Sequence, residues 1–373
     1  MKVLLIIYFI SLLFVFLGEQ NEKLVKIEIG GINSKITMKK TNMYFWMLFV
    51  FFTFISSMRS GFVDTNSYRN IYNEIGMNFS NVLSDGFRIE KGFRFICYLL
   101  NHISNNSQIL LMFVSIVVNY AIFKLVKNYS EDKFLSIFLY LCTVYLTTMN
   151  TLRQYFVVGI ILLCFPLLLK NRKFIFLCIT FLLTTIHSSA FFAGIIFVIC
   201  CDKFLNKKVI ILLIFTLILA FMPAFLFTSF LNLVGVNDYA DMYQSINKTG
   251  VNNIRILVQL VPVMLAIYYY FKIKKNKKEL TLKDSFFLNL NVINFLVFIL
   301  ATRNNYLARI AVYFELISVI TIPYLLNRII KKEQRIIFKV LVVVLYSIYF
   351  YFVIKGFGWE SIRAIMPYFL GGN

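Results

Sequence analysis

The sequence predicts an all-α, polytopic integral membrane protein, a helical bundle of about 11–13 transmembrane or re-entrant helices. Hydrophobic residues make up 60% of the 373 residues and charged residues only 15%, a balance that water-soluble domains do not show. The apolar residues also fall in long runs separated by short basic loops, which is the pattern of membrane helices. We expect a single polytopic membrane domain over residues 1–373.

The formal net charge of +21 lies in the loops between the apolar runs. We interpret these charges as topology signals and expect no nucleic-acid partner. The six cysteines lie within or beside apolar runs without metal-ligand spacing. They are therefore predicted to be packing residues, neither a disulfide framework nor a zinc site.

The predicted apolar runs cover residues 3–17, 43–57, 92–103, 108–126, 134–149, 152–169, 174–201, 209–227, 254–271, 286–301, 306–326 and 336–354. The first is interpreted as a helix, with a cleaved signal peptide as the alternative. The run 92–103 is too short for the ~30 Å hydrocarbon core and is predicted to be a re-entrant or interfacial helix. The run 174–201 has basic residues on both flanks, which favours a tight hairpin with His187 near its tip.

Basic residues predict the orientation. Of the 38 lysines and arginines, 25 lie in one set of loops, which the positive-inside rule places in the cytoplasm. These loops are residues 18–42, 124–133, 170–173, 203–208, 272–283 and 328–339. Polar segments 58–91 and 228–253 are then outer loops.

The outer side is rich in arginine. Its arginines are Arg59, Arg69, Arg88, Arg94, Arg153, Arg255, Arg303, Arg309 and Arg363. Lysine suffices as a topology signal, whereas the planar guanidinium matches phosphate and carboxylate bidentately. The arginines therefore indicate an anionic ligand at the outer leaflet, unless arginine simply replaces lysine at outer rims.

The stretch from Asn150 to Ser189 combines a fixed cation with a titratable base. Asn150, Arg153 and Gln154 have helical spacing and are predicted to share one face. The hairpin brings His187 back to the same side of the membrane as Arg153. The structural alternatives are an arginine that reaches to lipid headgroups and a histidine that bonds a neighbouring helix.

Three further groups carry ionisable residues. Arg59, Asp64 and Tyr68 follow the second helix, where a plain surface ion pair is the alternative interpretation. Intramembrane charges mark functional sites by default, although pairing between helices is the alternative. Such charges, with their neighbours, are Arg303, Arg309, Tyr313 and Glu315 in one group, and the i,i+4 pair Arg255 and Gln259 in the other.

Motifs for nucleotide-driven or zinc chemistry are missing from the sequence, which has no P-loop, Asp-x-Asp, HExxH or Gly-x-Ser-x-Gly. We therefore expect no cofactor and no metal.

Several short motifs, in this order, resemble the EpsG family of Wzy-like exopolysaccharide and O-antigen polymerases. They are Arg59 with Asp64-Thr65-x-x-Tyr68, Glu90-x-Gly92-Phe93, Asn150-x-x-Arg153-Gln154, His187-Ser188-Ser189-Ala190, and Arg309-x-x-x-Tyr313-Phe314 followed by Ile322-Pro323. The resemblance implies a GT-C-like enzyme of the bacterial cytoplasmic membrane that joins undecaprenyl-diphosphate-linked oligosaccharide repeats on the outer side. Flippase and chain-length regulator proteins are implied as partners.

The resemblance also implies roles for individual residues. His187 and Arg153 would be catalytic, the histidine accepting the proton of the acceptor hydroxyl. The diphosphate would bind Arg153, Arg303, Arg309 and Arg59. The glycan would bind Asp64, Tyr68, Asn150, Gln154, Glu90 and Tyr313.

The sequence leaves other functions open. A lipid-linked oligosaccharide flippase or transporter would show paired repeats or broken helices at the midplane. An O-antigen-ligase-like transferase differs from a polymerase only in its acceptor, and a membrane acyltransferase has no evident need for the outer arginines.

Overall fold

The computed structural model describes residues 2–27, 34–87, 89–223, 226–227, 229, 251–303 and 307–365. Over these residues the chain is helical and contains no strand. The helices are α1 (Lys2–Ile27), α2 (Ser34–Ser57), α3 (Thr65–Ile75), α4 (Phe79–Leu83), α5 (Lys91–Asn101), α6 (Gln108–Tyr129), α7 (Lys133–Thr143), α8 (Tyr145–Asn150), α9 (Leu152–Cys164), α10 (Pro166–Leu169), α11 (Lys173–Leu182), α12 (Ala190–Cys200), α13 (Lys207–Phe221), α14 (Asn253–Lys275), α15 (Leu282–Leu300), α16 (Ala308–Ile329), α17 (Arg335–Phe357) and α18 (Trp359–Arg363). Turns of 3₁₀ helix cover Leu183–Thr185 and Lys332–Gln334.

Among the described residues, six helical segments are long and apolar enough to cross a membrane, and shorter apolar helices accompany them. The six are Gln108–Tyr129, Leu152–Leu169, Asn253–Lys275, Leu282–Leu300, Ala308–Ile329 and Lys332–Phe357. Outward-facing side chains are apolar too: Ile211 is 66% and Leu341 57% exposed. Since water does not favour such a surface, the fold class is confirmed as a polytopic membrane helical bundle.

The polar segment 58–91 is more ordered than a loop. It contains the short helices α3 and α4. The buried residues of α3 recur every three or four positions, which gives this helix one buried face. The following helix α5 has 11 residues, too few to cross a ~30 Å core, which agrees with the prediction of a short helix. Arg88 and most of the predicted outer loop 228–253 lie outside the described residues.

The chain forms two compact units. Unit 1 comprises Met1–Cys164, Leu177–Phe191 and Glu333–Asn373, and unit 2 comprises Phe165–Phe176 and Phe192–Lys332. The expectation of one membrane domain stays a prediction.

Helices α2, α6 and α9 organise unit 1. Helices α2 and α6 run antiparallel. The ring of Phe45, midway along α2, lies 5.1 Å from the ring of Phe123 in the second half of α6, whereas Gln108 at the start of α6 donates to Ser57 O at the end of α2. Helix α9 runs parallel to α6, because α7 and α8 return the chain between them.

The two ends of unit 1 differ. The Arg153 end holds the end of α2, the starts of α5, α6 and α9, the turn 183–189 and α18, where Ser60 N–H donates to Ile365 O over 3.3 Å. At the opposite end, the Lys339 end, α7 and α17 begin and Lys339 Nζ lies 2.7 Å from Asp132 Oδ2. Segment 58–91, predicted to be outside, lies at the Arg153 end, and segment 124–133, predicted to be cytoplasmic, lies at the Lys339 end.

Unit 2 is built around α15, which runs antiparallel to α14 and α16. Asn294 on α15 donates to Gln259 Oε1 on α14 over 2.8 Å. At the other end of α15, the Tyr324 hydroxyl of α16 donates to Asp284, which also belongs to the capping box that starts α15. Polar side chains thus fix the register of these three helices.

Candidate active site

His187 lies at the tip of a helical hairpin, as the basic flanks of this run predicted. Helices α11 and α12 form its arms, and the rings of Phe181 and Phe191 are 5.6 Å apart across it. At the tip, Ala190 N–H donates to His187 O over 3.0 Å, so the turn is compact. The imidazole is half-buried, and its Nδ1 lies 3.0 Å from Ser189 Oγ.

Helix α5 begins against this turn at a position that requires glycine. A Cβ on Gly92 would lie 2.6 Å from the carbonyl oxygen of Thr185 and 2.8 Å from its carbonyl carbon. Both atoms belong to the backbone, so a side chain could be accommodated only by moving the turn. The glycine of the Glu90-x-Gly92-Phe93 motif therefore allows close contact between α5 and the segment that carries His187.

Glu90, just before α5, connects Arg153 to the same turn. Its Oε2 accepts a hydrogen bond from Arg153 Nη1 in an ion pair, and its Oε1 accepts from Ser188 N–H over 3.0 Å. The side chains of Arg153 and Glu90 are 22% and 23% exposed. The structure thus brings Arg153 and the His187 turn to one carboxylate, 63 residues from Arg153 in the chain.

The helix that carries Arg153 is not continuous with the one before it. Thr151 has φ −89° and ψ 67°, so α8 ends at Asn150 and α9 starts at Leu152. The expectation that Asn150, Arg153 and Gln154 share one continuous helix face is therefore wrong for Asn150. Gln154 is buried, at 4% exposure. Asn150 is half-buried, and its Oδ1 has no hydrogen-bond partner within the described part of the chain.

Asp64 and Tyr68 lie at the start of α3 in the same unit. Asp64 is half-buried at the first residue before the helix. Tyr68 is 9% exposed, and its ring lies 6.0 Å from the ring of Phe93 on α5. Tyr68 therefore packs beneath the start of α5 in this conformation, and a glycan-binding role for either residue stays a prediction.

Arg59 is buried and donates hydrogen bonds within the protein. It is 1% exposed, donates from Nε to Thr65 Oγ1 over 3.2 Å, and donates from Nη1 to Ser56 O. Burial lowers the pKa of Arg59, which lies beyond the end of α2, to about 10, so the group is still protonated at neutral pH. Arg69 donates to Arg59 O over 3.0 Å and to Gln108 over 2.5 Å. These arginines join α2 to α6, and the predicted diphosphate contact of Arg59 stays a prediction.

The other predicted site residues belong to unit 2. Arg303 is half-buried, donates from Nη1 to Leu219 O over 2.7 Å, and lies over the ring of Phe227 at 4.8 Å. Arg309 is half-buried, and Tyr313 is 2% exposed on the same helix. Their roles toward diphosphate and glycan stay predictions.

Unit 2 also contains a buried polar network. Glu315, which is 0% exposed, accepts from Arg255 Nη2 over 3.2 Å and from Gln259 Nε2 over 2.9 Å. Asn294 extends the chain of hydrogen bonds to Gln259. Helical spacing indicated the Arg255 and Gln259 pair, but Asn294 gave no signal beyond being a polar residue in an apolar run. Ser188 was missed at the other site because its contribution is a backbone N–H.

Long apolar helices in both units define a multi-pass membrane protein. At one end of unit 1 it has a partly enclosed polar site, formed by an arginine, a carboxylate and the turn that carries a histidine. Residues 42–370 match the family model described as the EpsG family, and the chain belongs to this family. Membership indicates a glycosyltransferase-like, polymerase-type function in exopolysaccharide biosynthesis. No curated protein and no solved structure matches the chain.

Proposed function

We propose that the protein polymerises undecaprenyl-diphosphate-linked oligosaccharide repeats at the outer face of the bacterial cytoplasmic membrane. The observation that carries the proposal is the meeting of Arg153 and the His187 turn at one end of unit 1. Transfer of a glycan from a lipid diphosphate requires two groups, a fixed cation and a proton acceptor.

The reaction moves a glycan from its diphosphate to a hydroxyl group. The acceptor oxygen attacks the anomeric carbon of the donor glycan and forms the new glycosidic bond. The bond between that carbon and the phosphate oxygen breaks, and undecaprenyl diphosphate leaves with the bonding electrons. His187 takes the acceptor's proton, and the Arg153 guanidinium stabilises the negative charge that develops on the diphosphate.

Because a diphosphate is already a good leaving group, this step needs no nucleotide on the outer side. The mechanism also assigns no step to a metal ion. Asp64 and Asn150 are proposed to contact the sugar, since both are half-buried in unit 1 and lie just before the starts of α3 and α9. Tyr68 and Gln154 are buried and are proposed to support these two side chains.

Reconstitution tests the proposal. The purified protein is placed in liposomes with a lipid-linked repeat, and the glycan products are separated by size. A polymerase gives a ladder of products that each differ by one repeat and remain linked to lipid. Transfer of single repeats to an added non-repeat acceptor would instead identify a ligase, and movement of intact repeats between leaflets would identify a flippase.

A further inference from the structure

Glu90 has an arrangement that its assignment as a sugar ligand does not explain. Both carboxylate oxygens already accept hydrogen bonds from the protein: Oε2 from Arg153 Nη1 and Oε1 from Ser188 N–H over 3.0 Å. The two donors come from different segments, the start of α9 and the tip of the α11–α12 hairpin. Hydrogen bonds to an ionised carboxylate are stronger than neutral ones, so both segments are held firmly.

The backbone that carries Glu90 is itself fixed. Glu90 O accepts from Phe93 N–H over 3.1 Å, and Phe93 is fully buried. Two residues after Glu90, Gly92 lies so close to the Thr185 backbone that a Cβ would overlap it. Arg94 donates from Nη1 to Asn81 O over 3.0 Å, which ties α5 to α4. Because its backbone is fixed, the Glu90 carboxylate can determine where Arg153 and the hairpin tip lie.

We propose that Glu90 is a positioning residue that sets the distance and orientation between Arg153 and the turn that carries His187. The proposal rests on the proposed function of this site and replaces the sugar-binding role of Glu90. Glu90 acts through Arg153 and the turn, without itself contacting the reacting atoms. A glutamine at this position keeps one acceptor oxygen in place of two, so in either orientation of the amide its NH2 group faces one of the two donors.

Kinetics on the lipid-linked repeat test the coupling. Glu90→Gln is expected to lower kcat about 10-fold, with the KM for the repeat within about 2-fold of the wild type. Arg153→Lys keeps the charge but loses the planar guanidinium that can bind bidentately, and it is expected to lower kcat by about 10-fold or more. Because Glu90 acts through Arg153, the double variant should be about as slow as the slower single variant, far short of the ~100-fold loss that independent effects would give.

The matched control is Glu74→Gln, which removes the same charge from an exposed position on α3 in the same unit and should leave kcat unchanged. Glu90→Asp keeps the charge but shortens the side chain, so it should not restore kcat. A raised KM with normal kcat in Glu90→Gln, or losses that multiply in the double variant, would overturn the positioning role and favour sugar binding.

A second readout does not depend on catalysis. Ser188→Cys keeps the backbone N–H and places a thiol at an exposed position, in a background where the exposed Cys178 is replaced by serine. Glu90→Gln should increase the rate of maleimide labelling at this cysteine at least ~5-fold, since loss of one charged hydrogen bond loosens the turn. Glu74→Gln should not change it. Unchanged labelling in a folded Glu90→Gln protein contradicts this inference, whereas failure of the wild type to polymerise contradicts only the proposed function.

Discussion

The two histidines of the chain lie in contrasting surroundings within unit 1. His187 is half-buried at the hairpin tip, with Nδ1 3.0 Å from Ser189 Oγ. His102 is exposed at the end of α5, where its Nδ1 lies 2.9 Å from Tyr98 O. The exposed histidine is therefore a matched control for the proposed base.

We expect His187→Ala to lower the initial rate of polymer formation by about 10²–10⁴-fold, the usual contribution of a general base. His187→Gln preserves hydrogen bonding but not basicity, so it should be as slow as His187→Ala. His102→Ala should polymerise at the wild-type rate. A nearly active His187→Gln protein would show that the residue serves packing or hydrogen bonding, and the catalytic assignment would be wrong.

Individual residues were predicted unevenly from the sequence. Helical spacing and the basic flanks predicted Arg153 and His187 on the same side, and in the structure Arg153 and the neighbouring Ser188 N–H both donate to the Glu90 carboxylate. No sequence pattern indicated that Glu90 is their common acceptor, because the pairing depends on how α5 and the hairpin pack. Burial of Arg59 was missed for a similar reason: its partner Thr65 comes within reach only when the chain folds back after α2.

The contact between α5 and the hairpin is the element on which the site depends. Gly92→Ala should lower the free energy of unfolding by about 1–3 kcal/mol, the usual cost of forcing extra volume into a packed position. Gly356→Ala is the control, because a Cβ there meets nothing within 4 Å and alanine favours a helix interior. Thermal unfolding in detergent measures both variants. An equal melting temperature for Gly92→Ala and the wild type would contradict the close contact.

Helices α14 and α16 are joined by a charge pair within unit 2. Glu315 is fully buried and Arg255 is 25% exposed at the side chain. Glu315→Gln removes the buried negative charge that faces the guanidinium and should destabilise the protein by about 3 kcal/mol, at the low end for a buried pair because Arg255 reaches solvent. Glu279→Gln, at an exposed position in the same unit, should have little effect.

The double variant Arg255→Met, Glu315→Leu separates charge pairing from packing. Replacing both members of a buried pair by apolar residues is often tolerated, so this protein should melt closer to the wild type than Glu315→Gln does. The double variant could instead unfold at a lower temperature than Glu315→Gln, by more than the changed packing of the two side chains explains. The network would then stabilise the protein by more than charge compensation.

At the level of the elements, apolar runs predicted most helices, since hydrophobicity alone identifies membrane helices. Breaks within the helices were harder to predict. The break at Thr151 depends on a single pair of backbone torsion angles, and no glycine or proline marks it in the sequence. The helices within segment 58–91 were also missed, because they are short and polar on one face.

Across the whole molecule, the distribution of basic residues predicted the topology. Segments 58–91 and 124–133, predicted to lie on opposite sides, lie at opposite ends of unit 1. The identity of the outer side stays a prediction. We propose that polymer forms at the Arg153 end and that this end faces outward.

The most direct test is to label this end in intact cells with a membrane-impermeant maleimide and measure polymer formation. We expect Ser188→Cys to be labelled from outside and its polymer synthesis to stop, because the adduct occupies the turn beside Glu90. Asn128→Cys, at an exposed position of the Lys339 end, should be labelled only after the membrane is opened. Polymer synthesis that continues at the wild-type rate after complete external labelling of Ser188→Cys, or protection of that cysteine in intact cells, would contradict the account.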